Sequence, residues 1–104
     1  MMEFLGITLE VEKLDDGEEA LFTSNQAEGA IPNKKRVTKH LSEPTDYIKT
    51  GTLGTVIGSV AIPKEAQPLM RAAIGVEPTY AYWVKFDVDK RPLFVLDYKI
   101  KQLD

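Results

Sequence analysis

Apolar and polar residues alternate with a period of two over residues 5–11: Leu5, Ile7, Leu9 and Val11 on one side, Gly6, Thr8 and Glu10 on the other. This spacing turns one face of a strand inward and the other to solvent, and disfavours a helix. Leu14-Asp15-Asp16-Gly17-Glu18 follows with an Asp-Gly pair suited to a tight turn, so residues 20–23 are predicted to return as the second strand of a hairpin. Residues 24–34 are rich in Asn, Gly and Pro and read as a loop. Residues 36–41 predict a strand that Ser42-Glu43-Pro44-Thr45-Asp46 breaks. The β-branched run after Tyr47 contains Gly51, Gly54 and Gly58, which predicts a turn and then a strand over 54–61.

Residues 63–74 form the single helix candidate, carrying Glu65, Ala66, Leu69, Met70, Arg71, Ala72 and Ala73. Pro68 is tolerated only in a first turn, so the helix either begins near Glu65 or shrinks to the turns after Gln67, and Gly75 ends it. Residues 80–88 are the strongest strand, paired through a turn at 89–91 with a strand over 92–96. A turn at 97–99 leads to a short closing strand from Ile100. Alternation along the strongest strand sends Tyr82, Val84 and Phe86 inward and Ala81, Trp83 and Lys85 outward.

At 104 residues and 43% apolar composition the chain suits one domain with one core, burying roughly 60–68% of its unfolded surface. The absence of cysteine excludes disulfides, thiolate metal sites and thiol catalysis. No run approaches the roughly 18–20 apolar residues of a membrane span, and the acidic start lacks a cationic leader, so a cytoplasmic protein is expected. The net charge of −3 is unevenly spread. Residues 1–31 hold eight acids and one base, residues 32–64 six bases and two acids, and the remainder six of each. Such asymmetry either steers a charged partner or reflects acidic and basic segments that lie together and neutralise each other.

From residue 35 to 103 the order of these signals resembles an SH3-like barrel with a KOW-type motif. The resemblance rests on the strand Arg36-Val37-Thr38, the G-x-x-G-x-V run Gly51-Thr52-Leu53-Gly54-Thr55-Val56, and the aromatic strand Tyr82-Trp83-Val84-Lys85-Phe86-Asp87. Phe94-Val95 followed by Ile100 matches the closing hairpin with its single helical turn. It implies a mainly β domain over 35–104, a barrel of five or six strands with a helical insertion at 63–75, to which residues 1–24 add an N-terminal hairpin. The family implies an accessory, regulatory or assembly subunit acting through protein contacts, with nucleic-acid binding as the alternative.

Reactive chemistry finds little footing. The glycines at 51, 54 and 58 lack the Gly-Lys-Ser/Thr and following helix of a phosphate loop. His40 near Ser42 and Asp46 is a sequence neighbourhood rather than a triad geometry. Asp15-Asp16-Gly17-Glu18-Glu19 lacks the spacing of a calcium loop. No enzyme, cofactor, metal or membrane is therefore expected. The partner is another protein whose identity, like the oligomeric state, is left open. An outward Trp83 beside Lys85 would anchor that partner, unless the N-terminal hairpin or the helix covers the indole. Met70 and Arg71 are the second candidate contact, because the apolar surface of the helix exceeds what one core-facing stripe needs; otherwise the helix plugs one end of the barrel. For the nucleic-acid alternative the candidates are Lys34, Lys35, Arg36 and Lys39.

Overall fold

The β-rich pattern resolves into two antiparallel sheets and one short helix. The computed structural model describes residues 2–4, 7–14, 17–89 and 91–103. Strands β1 (Met2–Phe4), β2 (Ile7–Lys13) and β3 (Glu19–Phe22) form a three-stranded sheet in the order β1-β2-β3. Strands β4 (Arg36–Lys39), β5 (Leu53–Ala61), β6 (Tyr80–Phe86), β7 (Pro92–Leu96) and β8 (Ile100–Gln102) form the second sheet in the order β7-β6-β5-β4-β8. The last strand thus lies beside the first of its sheet. Hydrogen bonding does not close this sheet into a barrel, since β7 and β8 are its two edges. No described helix is long and apolar enough to cross a membrane.

The expected N-terminal hairpin is present and gains β1 as a further strand. Its turn is held by Leu14 N–H donating to Glu18 O at 2.8 Å and Gly17 N–H to Leu14 O at 2.9 Å, with Gly17 in the left-handed region at φ 86°. Leu5, Asp15 and Asp16, to which the sequence assigned an inward position and the turn, lie outside the described residues. The inward position expected for Val11 is corrected: it is 55% exposed and sits directly across from exposed Leu21. β2 pairs with β1 as far as Leu9 and with β3 from Glu10, and past that changeover it is Glu12, not Val11, that reaches the second sheet, at Lys85.

β6 behaves as its alternation predicts. Tyr82, Val84 and Phe86 join Val37, Ile48, Val56, Val95 and Ile100 in one core on the inner face of the large sheet. Ala81 and Trp83 point to the other face, where they pack with Leu9, Val60 and Ile62, and with Phe22 and Met70 at the margin. β5 serves both cores through a bulge. Its register with β6 shifts between Val56 and Gly58, so Val56 reaches the inner core while Val60, opposite Ala81, reaches the outer one. An unbulged strand would keep both valines on one face.

The loop over 24–34 is more ordered than its composition suggests. β4 pairs only with the first residues of β5, which leaves the strand edge beyond it to be met by residues 23–27. Ser59 N–H donates to Asn25 O at 2.7 Å, Asn25 Nδ2 returns a bond to Ser59 O at 2.9 Å, and Ala27 N–H donates to Ser59 Oγ at 3.0 Å. The loop is then tied to β6, where Tyr82 Oη accepts from Ile31 N–H at 3.0 Å and Tyr80 Oη donates to Glu28 O at 2.8 Å.

The helix α1 (Gln67–Ile74) follows a 3-10 turn at Lys64–Ala66, which lets Pro68 fall in its first turn. Gly75 caps it at φ 80°, its N–H donating to Arg71 O at 2.8 Å. No helix residue is buried. Ala66 and Met70 touch the outer core, whereas Leu69 is 74% exposed.

A candidate binding groove

An opening lies where the large sheet fails to close. Between β7 on one side and residues 40–49 with the Asp97–Lys99 3-10 turn on the other runs an open groove of about 400 Å³. That volume lies within the range usual for ligand sites. Ile48, Phe86, Leu93 and Val95 contribute its apolar surface and Tyr47 and Tyr98 its aromatic one, while Phe94, also at its margin, turns its ring to the other face of β7 against Trp83. Tyr47 is 68% and Phe94 49% exposed.

One wall is a loop built to hold its shape. Its neck is closed by Lys39 N–H donating to Thr52 O at 2.8 Å and Gly51 N–H to Lys39 O at 2.9 Å. Further along, Ser42 Oγ donates to Ile48 O at 2.8 Å, and Ser42 N–H to Thr50 Oγ1 at 2.9 Å. Asp46 and Glu43 hold each other reciprocally: Glu43 N–H donates to Asp46 Oδ2 at 2.9 Å and Asp46 N–H to Glu43 O at 3.0 Å. The opposite turn is anchored by Asp97, whose Oδ2 accepts from Thr79 and Tyr80 N–H at 2.8 and 3.1 Å.

The polar end of the groove consists of two lysines on one carboxylate. Lys39 Nζ lies 3.4 Å and Lys99 Nζ 3.3 Å from Asp46 Oδ2. Lys39 also donates to His40 O at 3.1 Å and Ser42 Oγ at 3.0 Å, and Lys99 to Leu41 O at 2.7 Å. Lys39 is buried because it shares the inward face of β4 with Val37. Burial pushes its ammonium below the usual lysine value, and Asp46 opposes that shift. The Glu43 backbone N–H, followed by Lys99 and Lys39, holds the Asp46 carboxyl below its ordinary range. Two cations also stand over the groove's aromatics, Arg91 at 5.9 Å from the Tyr47 ring centre and Lys99 at 5.6 Å from that of Tyr98.

The structure distributes the sequence candidates differently. Trp83 faces away from the inner core as expected, but it is only 4% exposed, so the exposed Trp83 anchor is corrected. The N-terminal sheet through Leu9 and Phe22, and the helix through Met70, cover it, and Phe94 stacks edge-on at 5.2 Å. Lys85 is drawn into the same layer, its Nζ 2.9 Å from Glu12 Oε1. Met70 is half-buried against this layer, so it serves the fold, while the largely exposed Arg71 pairs with Glu77 at 3.5 Å. Of Lys34, Lys35, Arg36 and Lys39, the last two do not share a surface. Arg36 points outward into a two-bond pair with Asp87, at 2.9 and 2.6 Å, while Lys39 points inward. Mutual neutralisation of the acidic and basic segments is not what these ion pairs do: Glu12 meets Lys85, Arg36 meets Asp87, and Lys39 meets Asp46 within its own segment.

The groove residues Asp46, Tyr47, Tyr98 and Lys99 escaped the sequence reading. One signal was available: Lys39 stands two positions after Val37 in a strand, so an inward Val37 implies an inward lysine in need of an acid. Asp46 is the nearest downstream acid but one. Comparison with protein-family models, with curated proteins and with solved structures gives no match.

Proposed function

We propose that this chain is a non-enzymatic SH3-like barrel, open along one side, which works as an accessory, regulatory or assembly subunit by holding a segment of a protein partner in the groove. The strand order supports the fold reading, since the closing strand β8 follows a 3-10 turn and lies beside β4, the first strand of its sheet. The observation that carries the functional reading is the aromatic lining of an open cavity, with Tyr47 standing largely in water. Aromatic side chains offer large contact area at small entropic cost and dominate interface energetics. The ionisable groups at the polar end are engaged in a mutual hydrogen-bond network, which suits positioning of a ligand rather than proton or group transfer. A cysteine-free chain suits a cytoplasmic setting. The nucleic-acid alternative draws less support, because two of its four cations, Arg36 and Lys39, are paired with aspartates and lie on opposite faces of β4.

The test is amide shift mapping of the 15N-labelled protein against a pool of short random peptides. Shifts are expected at residues 39–48 and 93–99, and Tyr47→Ala should weaken the response by about ten-fold. Shifts confined to other surfaces, or none, would overturn the reading; a salt-sensitive response to generic RNA at Lys34 and Lys35 would replace it with the alternative.

A further inference from the structure

The groove's charge is not balanced, and the imbalance selects a ligand. Asp46 Oδ2 is the single carboxylate oxygen that both lysine ammoniums of the groove share, and it accepts the Glu43 N–H as well. An ammonium carries three donors. Lys39 directs its three to His40 O, Ser42 Oγ and Asp46 Oδ2. Lys99 directs two, to Leu41 O and Asp46 Oδ2, and its side chain retains 16% exposure on the groove wall. The wider loop and turn are neutral, with Lys39, Lys49 and Lys99 against Glu43, Asp46 and Asp97, but the Asp97 carboxylate is turned to the Thr79 and Tyr80 N–H groups, so the excess belongs to the groove lining itself, where Lys39 and Lys99 face Asp46. Arg91 at the Tyr47 end is matched by Asp89 at 3.1 Å. The excess positive charge sits against the apolar side chains of Ile48, Phe86 and Leu93, where it is screened less than on an open surface.

We infer that the groove is specific for an acidic peptide, one that seats an aromatic or large apolar side chain between Tyr47 and the β7 side chains and places a Glu or Asp carboxylate on Lys99 Nζ. The inference rests on the peptide-binding reading above and adds the chemistry of the occupant. The incoming carboxylate accepts the third Lys99 proton, which completes the donor set of that ammonium and brings the two-lysine, one-carboxylate cluster to charge balance. Lys39 acts behind it as a positioning residue: buried and bonded on three sides, it holds Asp46 and the loop wall in place. An amide in place of the peptide carboxylate supplies an oxygen without the charge, and a lysine meets like charge.

The experiment compares three short peptides alike except at one position, each carrying a Phe and either Glu, Gln or Lys, titrated into the 15N-labelled protein at low and raised salt. The Glu peptide should bind about ten-fold more tightly than the Gln peptide, with the advantage shrinking as salt rises, and the Lys peptide should bind least. Asp46→Asn, which leaves an oxygen for the Glu43 N–H but removes the opposing charge, should strengthen Glu-peptide binding. A merely structural role for Asp46 would weaken it. Lys99→Gln should erase the Glu over Gln preference; because that variant also loses the bond to Leu41 O, the unmodified protein's Glu/Gln ratio stands as the primary readout. Equal binding of all three peptides at residues 39–48 and 93–99 would overturn acid specificity and leave the peptide-binding reading intact. Absence of groove shifts with every peptide would overturn both.

Discussion

The attachment of the N-terminal layer depends on one missing side chain. Gly58 lies opposite Trp83 on the outer face of β5, where the backbone of Thr23 crosses. A Cβ built on Gly58 would overlap the Thr23 carbonyl oxygen, sit 2.6 Å from the Thr23 carbonyl carbon and 3.4 Å from Ser24 Cα. The obstacle is backbone, so no rotamer change relieves it. Gly58→Ala must therefore displace residues 23–25, and with them the three bonds that join Asn25 and Ala27 to buried Ser59. Overpacking costs about 1–3 kcal/mol and each of the three bonds about 1 kcal/mol, so a loss of about 4–6 kcal/mol is expected. Such a loss is a large fraction of a domain's total stability and corresponds to a Tm drop of more than about 16 °C. Urea unfolding followed by Trp83 fluorescence reads both effects, because the displaced layer is the cover of the single indole. The native baseline of the variant should shift to longer wavelength as well as its midpoint to lower urea. A stability within about 1 kcal/mol of the parent with unchanged emission would show that the crossing yields freely, and would refute the argument.

Two further outcomes follow from the geometry. Asp46, Asp87 and Asp89 all have carboxyls held below the ordinary value of 3.8, by the Glu43 backbone N–H, Arg36 and Arg91 respectively. A lowered folded-state pKa contributes stability that is complete above the ordinary value and is lost as pH falls through the lower one. Urea midpoints should therefore be level above about pH 5 and fall below about pH 4, with Asp87→Asn flattening the slope; a profile level to about pH 2 would contradict the assignment. On the helix, Leu69→Glu should change stability by no more than about 0.5 kcal/mol, while Met70→Glu, which carries a charge to the margin of the Trp83 layer, should cost about 1–3 kcal/mol. Equal costs in thermal melts would mean that the helix does not dock through Met70.

The strands and the helix were legible because local spacing carries them. The Tyr80–Phe86 pattern determined which side chains enter the core, and Pro68 with Gly75 bounded the helix. Other features depended on where distant segments meet. Alternation placed Trp83 outward, but whether outward means exposed depends on residues more than sixty positions earlier, Leu9 and Phe22 among them, coming to lie over it. The bulge in β5 likewise has no local mark beyond Gly58, since a glycine in a strand serves a bulge, a bend or a close approach equally well. Here it serves the approach of Thr23 as well as the register shift.

The candidate site divides in the same way. Its residue types are in the chain for anyone to count: tyrosines at 47 and 98, a phenylalanine at 86, lysines at 39 and 99, an aspartate at 46. Period-two spacing by itself determined strands, faces, the turn glycines and the inward aromatics, because those depend on neighbours two to four residues away. Only the tertiary structure decided that β7 and β8 stay apart as edges, and that the gap beside β7 gathers aromatics from a loop, a strand and a 3-10 turn around two lysines and one aspartate. Which surfaces are covered and which charges meet are set by contacts across tens of residues, and no local periodicity records them.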